Sequence, residues 1–290
     1  RRSCAFAWMC ATAMTNSLTA PLISSDDYVE IVRPLANRRL DVFYNHVFRD
    51  SLEAIEGRFV PGDHVDRWCV RLQSHPKTAT KAARLHLKST TFYAFLAWRL
   101  YRLLYAADAP AFEEWLYLSY SEGLSQYHLK KLKRYVEANP WLKPLVSLTD
   151  AESILHYRTP EVPGTSEKRE IIIEPTGIMT FKRGRHPHGV LADDVLRDPA
   201  VKLDLTQIEK ITRIFLEEVV SMPKEGGYLH VAGTPQDKED LFHALTQLTS
   251  FNVAEYPAIV DEERQVVLWP QMFPFERLVE IRDKEIGKKA

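Results

Sequence analysis

The stretch His188-Gly189-Val190-Leu191-Ala192-Asp193-Asp194 constrains the fold of this chain more than any other. Consecutive apolar residues without polar alternation belong to a strand buried on both faces, and such a strand needs a sheet covered by helices on each side. Ile171 to Ile173 and Tyr228 to Ala232 are further short apolar runs. Thr78 to Ala83, Trp115 to Tyr120, Leu145 to Leu148 and Ile178 to Phe181 also have strand length. Helical stretches lie between them. Tyr93 to Leu104 is too long for a strand and suits a helix buried on most sides. Ser121 caps a helix that stops before Asn139-Pro140, and Thr206 opens one with Ile208, Ile211, Phe215 and Val219 on one face. The expected fold class is α/β, a mostly parallel sheet with helices on both faces, preceded by a small N-terminal helical segment from Asp26 to about Gly57. Ligands of such sheets bind at the carboxyl ends of the strands.

Composition narrows the function classes. A hydrophobic share of 45% and a charged share of 27% describe a globular chain. The formal charge of −1 argues against a static nucleic-acid clamp, although a motor that grips and releases needs only local positive charge. Cys4, Cys10 and Cys69 form no C-x-x-C pair, so neither a disulfide framework nor a zinc ribbon is expected. Arg1-Arg2-Ser3 and the apolar residues after it superficially resemble a signal peptide. Met14 opens a polar stretch that reads as a normal start, and residues 1–13 as an over-extended frame or fragment edge. No apolar run approaches the ~20 residues that span a bilayer, and the expected location is the cytoplasm.

Three motifs fall at strand ends. Lys88 and Ser89, leading into the helix after Thr90, supply a lysine for phosphate oxygens, a hydroxyl for Mg²⁺ and a helix N-terminus. The glycines of a phosphate loop are missing, with Ala82 and Leu87 in their places, and a plain Lys-Ser pair at a helix start remains an alternative. Asp193 and Asp194 end an apolar strand, where the first would hold Mg²⁺ through its water shell and the second polarise an attacking water. A helix cap or turn is the other reading. Gly233-Thr234-Pro235 ends a third strand, where a small residue and a hydroxyl can sense a γ-phosphate and transmit its loss; a simple strand-to-turn junction explains it equally well. The order of the three is that of RecA-like ATPases with an extra strand between loop and acids.

These residues resemble the large terminase subunits of tailed double-stranded DNA phages. Ala83-Arg84-Leu85-His86-Leu87-Lys88-Ser89-Thr90 is similar to the terminase form of the phosphate loop, in which an arginine, here Arg84, stands four before the lysine. Thr180 to Arg185 resembles the family's Arg-Gly element before the double acid. Met222-Pro223-Lys224, Gly226-Gly227, Gly233 to Asp237 and Leu268-Trp269-Pro270 continue the likeness, which covers about Val65 to Ala290. The resemblance implies a RecA-like P-loop ATPase core over 58–250, after a leader and helical segment at 1–57 and before a lid or linker at 251–290. It implies ATP and Mg²⁺ as cofactors, with residues 83–90 binding ATP, Ser89 and Asp193 on the metal, and Asp194 and Arg84 in catalysis. Many members carry glutamate at the second acid. Arg183 would be an arginine finger reaching a neighbouring subunit's ATP, with Arg185 in reserve. Gly233 and Thr234 would couple hydrolysis to motion. The implied partners are double-stranded DNA, a portal protein, a small terminase subunit and further copies of the chain in a ring. Full-length members also carry a ribonuclease H-like nuclease; no acidic cluster for one is visible here, and nuclease activity is not expected.

Other features have plainer readings. Lys130, Lys131, Lys133 and Arg134 read as a solvated helix face, His186-Pro187-His188 as a loop, and Phe92, Phe95 and Trp98 as core. Two rival functions stay open: a non-hydrolysing nucleotide-binding or assembly module, which Leu87 favours, and a helicase-like remodeller, which would separate strands.

Overall fold

A computed structural model describes residues 25–149, 151, 153–161, 167–182, 184–196, 205–235 and 239–286. The chain opens with helices α1 (Ser25–Arg38), α2 (Leu40–Phe43) and α3 (Arg49–Glu56), the last two joined through a π-helical turn at Tyr44–Phe48. After α4 (Asp63–Ser74) come β1 (Lys77–Ala82), α5 (Lys88–Tyr105), β2 (Phe112–Ser119) and α6 (Glu122–Ala138). Next are β3 (Val146–Ser147), β4 (Leu155–Arg158), β5 (Glu170–Gly177), β6 (Gly189–Asp193) and α7 (Leu205–Ile214). Then follow β7 (Tyr228–Gly233), α8 (Leu241–Thr246) and β8 (Asn252–Tyr256). A small hairpin, β9 (Ile259–Asp261) and β10 (Val266–Val267), is followed by α9 (Phe275–Glu280), which runs on into a π-helical stretch at Ile281–Ile286.

Eight strands form one sheet in the order β3-β4-β5-β2-β6-β7-β1-β8. All neighbours from β5 to β8 are parallel, and β4 and β3 close the other side antiparallel. The α/β reading holds. Strand β7 lies between β1 and β6, so the strand ending in Gly233 separates the loop strand from the strand ending in Asp193.

Period-two alternation divides the core. Trp115 and Tyr117 of β2 and Leu191 of β6 face α5, α6 and the N-terminal helices, whereas Leu116, Leu118, Val190 and Ala192 face α7 and α8. Helices α1 to α3 share the first of these cores: Phe43, Val47 and Phe48 are buried with Tyr101 and Tyr135. Phe92, Phe95 and Trp98 are core residues, as read from sequence. Ser121 caps α6, its hydroxyl accepting from the Leu124 amide at 3.2 Å.

Three expectations are corrected. Ile178 to Phe181 is a turn, not a strand: Thr180 and Phe181 both donate to the Gly177 carbonyl at 3.0 Å, and Ile178 reaches the second core from that turn. The Leu145–Leu148 run contributes only Val146–Ser147, both exposed. The sheet continues past residue 250, since β8 pairs in parallel with β1, and 251–290 begins with a sheet strand rather than a lid. Its half-exposed edge position explains why no apolar run marks it.

Candidate nucleotide-binding site

Strands β1, β7 and β6 deliver Ala82, Gly233 and Asp193 to one edge of the sheet, and the loop 83–87 arches from β1 into α5. The Lys88 side chain runs back under this arch. Its ammonium donates to the carbonyls of Ala82 (3.2 Å) and Ala83 (3.0 Å) and to the Thr234 hydroxyl (3.1 Å). Burial lowers its pKa, and the nearby carboxylates of Asp194 and Asp193 pull it back up. Lysine, double acid and Thr234 thus meet, although they are far apart in sequence.

The loop from β1 into α5 contains no glycine, yet two of its residues have positive φ. Leu85 (φ 64°) and Leu87 (φ 67°) are left-handed, a conformation glycine takes freely and leucine takes at about 1–2 kcal/mol. Leu87 is half-buried against the core, while Leu85 is 76% exposed beside the exposed Arg84. The backbone N–H groups of residues 84–87 have no acceptor among the described residues, the state in which such a loop receives an anion. Ser89 and Thr90, half-buried, open α5 directly behind it. Because Leu85 packs against little, Leu85→Gly is expected to relieve more strain than it adds chain entropy. The net gain is about 0.5–1 kcal/mol, seen as a melting temperature roughly 1–3 °C higher. A lower melting temperature would show that the left-handed leucine is unstrained.

The two aspartates differ. Asp193 is fully buried; its Oδ2 accepts from the Tyr117 hydroxyl at 2.6 Å, and its Oδ1 has no hydrogen-bond partner among the described residues. Asp194 sits in the left-handed region (φ 46°) and accepts from the Thr234 amide at 3.3 Å. Burial and the neighbouring Asp193 push its pKa up to about 6, against the opposing pull of Lys88. Gly233 makes room for this carboxylate: a Cβ there would stand 3.2 Å from Asp194 Oδ1 and 3.0 Å from the Phe242 ring. The edge therefore offers a cation, unengaged N–H donors, a buried oxygen without a partner and a carboxylate able to take a proton near neutrality.

Sequence reasoning missed the packing beneath the loop. His86 is buried and stacks on Phe273 at 5.1 Å, and His64 Nε2 lies 3.3 Å from the His86 carbonyl. Burial lowers the His64 pKa to about 4. Trp269 closes the cluster and donates to the Pro61 carbonyl at 2.9 Å. Sequence reasoning also missed Tyr117, Tyr93 and His128 behind Asp193, for which no local pattern gave a signal.

Other candidates stand apart. Arg183 lies outside the described residues. Arg185 is held by Glu114 and Glu174 of its own chain. Glu114 is about five residue steps, on the order of 16 Å, below the level of Asp193, so Arg185 is tied to its own chain well away from this edge. His188 Nδ1 accepts from the Glu114 amide at 3.0 Å, in keeping with a loop that stitches β2 to β6. In the basic run, Lys131 pairs with Glu56 at 3.0 Å and Lys133 with Glu137 at 3.9 Å. No group of three metal-binding side chains of the His, Cys, Asp and Glu type occurs among the described residues. No helix among them is long and apolar enough to cross a membrane.

No protein-family model and no curated protein matches the sequence. Solved structures do match the fold. The large terminase of bacteriophage HK97 superposes with a TM-score of 0.52 at 14% identity over 81% of this chain. A mutant of the ATPase domain of the Thermus phage P74-26 large terminase does so with a TM-score of 0.53 at 10% identity, over 80% of this chain and 90% of that one. The chain spans 47% of the HK97 protein's length. The fold of this chain is that of phage large terminase ATPase domains.

Proposed function

We propose that this chain is an ATPase motor that drives double-stranded DNA into a viral procapsid. The observation that carries the reading is the meeting of Lys88, Asp194 and Thr234 beneath a loop whose N–H groups are unengaged. The likeness to terminase ATPase domains supplies the fold on which such a site sits.

The donor set suits Mg²⁺ and ATP. The loop amides and Lys88 bind the β- and γ-phosphates, with Lys88 exchanging its bonds to the Ala82 and Ala83 carbonyls for phosphate oxygens. Ser89 and the unpartnered Oδ1 of Asp193 would hold Mg²⁺. When bound, the metal neutralises charge on the phosphate oxygens. Asp194 orients the attacking water and takes its proton, a task suited to a carboxyl whose pKa is raised towards neutrality. Thr234, touching both Lys88 and Asp194, senses the γ-phosphate and, with Gly233, couples its loss to motion. Arg84 at the loop and Arg183, supplied to a neighbouring copy in a ring, add positive charge. The portal protein and a small terminase subunit complete the assembly.

One observation favours a second reading. Two leucines in left-handed conformations occupy the loop, Leu85 exposed at its crest, and bulk there suits a module that holds nucleotide without turning it over. Phosphate release from Mg–ATP by the full chain, with and without linear double-stranded DNA, separates the readings when paired with fluorescent ADP binding. Turnover supports the motor, and binding without turnover supports the module. Neither binding nor turnover sinks both.

A further inference from the structure

We propose that Tyr117, backed by Tyr93 and His128, is a positioning residue that locks Asp193 so that only its Oδ1 faces the metal of a bound metal–nucleotide. The inference rests on the nucleotide reading above and assigns a role to side chains outside the phosphate loop and the paired acids. Tyr117 lies on β2, beside β6, on the sheet face that Leu191 also occupies. It is fully buried, and its hydroxyl donates to Asp193 Oδ2 at 2.6 Å. His128 of α6 places Nε2 3.9 Å from the same oxygen and stacks on the Tyr117 ring at 5.2 Å. The Tyr93 hydroxyl of α5 is hydrogen-bonded to His128 Nδ1. Two groups, from a strand and a helix, thus converge on one carboxylate oxygen, and Tyr93 of a second helix stands behind His128.

The other oxygen receives no hydrogen bond from the described residues. Asp193 Oδ1 is buried without a partner among the described residues, although an orphaned buried carboxylate oxygen is costly. Fixing Oδ2 while leaving Oδ1 open sets the carboxylate's rotation and presents a single, pre-oriented acceptor. Partners of this kind, one shell behind a ligand, typically change metal affinity about 10–100-fold. A purely structural tyrosine needs no hydroxyl aimed at a buried acid.

Tyr117→Phe keeps the ring and removes the single bond. Two affinities decide the matter in the full chain: Mn²⁺ in the presence of saturating ADP, followed by electron paramagnetic resonance, and fluorescent ADP in EDTA. Mn²⁺ affinity is expected to fall about 10-fold, with ADP affinity in EDTA unchanged within about twofold. Tyr93→Phe acts one bond further out and is expected to weaken Mn²⁺ by about threefold on the same grounds; it decides the question if Tyr117→Phe does not fold. Unchanged Mn²⁺ affinity in the folded variants overturns the positioning role, as does a parallel loss of ADP affinity in EDTA, which would mark Tyr117 as packing. An unsubstituted chain that binds neither ADP nor Mn²⁺ sinks the nucleotide reading itself, and this role with it.

Discussion

Asp194→Asn is expected to abolish phosphate release from Mg–ATP and, at the same time, to make the ligand-free protein harder to melt at pH 7.5. The first effect follows from losing the group that accepts a proton from water, worth about 10²–10⁴ in rate for a general base. The second follows from the environment of that group. Burial and Asp193 raise its pKa to about 6, above the ordinary value of 3.8, so the folded protein penalises the ionised form. Stability tied to this carboxyl is fully present below about pH 4 and is lost as the pH rises through about 6. A shift of this size is worth up to about 3 kcal/mol at pH 7.5, which asparagine recovers because it never ionises. Lys88 loses one of its two nearby counter-charges in the exchange and keeps Asp193, which trims the net gain to about 1–2 kcal/mol. The asparagine oxygen still accepts from the Thr234 amide. Melting of the two proteins at pH 7.5 and pH 4 tests the linkage: the gap should be open at the first and closed at the second. An equal gap at both, or undiminished turnover, would remove Asp194 from its assigned role.

Such a trade between local stability and activity marks the part of the site that sequence made legible. Asp193 and Asp194 could be found because an unbroken apolar run leaves little choice but a buried strand, and the residues that end it must emerge at a sheet edge. Lys88 could be found because a lysine and a hydroxyl preceded a long buried helix. Their meeting with Thr234 follows only from topology, because β7 is inserted between β1 and β6 while arriving much later in the chain. Pattern did not reach the supports. Tyr117 sits in Trp-Leu-Tyr-Leu, where a tyrosine reads as one more core aromatic, and nothing local says that its hydroxyl faces an acid. Arg185 carried a charge suited to a finger, but the two glutamates that hold it lie on different strands, 60 positions apart. Strand β8 escaped notice for an energetic reason: a half-exposed strand tolerates Asn252 and Glu255, and its place beside β1 is set by backbone pairing. Ile178 shows the converse, an apolar residue that reaches the core from a turn.

The strand that carries the acids depends on a close approach at its start, and Gly189→Ala tests it. A Cβ on Gly189 would lie 2.2 Å from Cζ3 of Trp115 and 2.7 Å from Cε3, well inside any tolerable contact. Relief would have to come from the indole, and the indole is boxed in. Its Nε1 donates to Glu113 Oε2 at 2.7 Å, Phe95 meets it edge-on at 5.4 Å, Tyr228 stacks at 5.8 Å, and the Arg99 guanidinium lies 5.8 Å above it. Glu113 is itself nearly fully buried and paired with Arg99, so displacing the ring strains an ion pair far from water as well as the packing. Overpacking a rigid core typically costs about 1–3 kcal/mol, and this site belongs at the upper end because no flexible side chain is available to yield. At about 2–4 °C per kcal/mol for a chain of this size, the melting temperature should fall by roughly 6–12 °C. The movement also propagates along β6, so whatever structure absorbs the methyl group should tilt Asp193 away from Tyr117. A variant that melts within about 2 °C of the parent would mean that β6 and Trp115 separate easily, and that the acids are not held by the rigid strand described above.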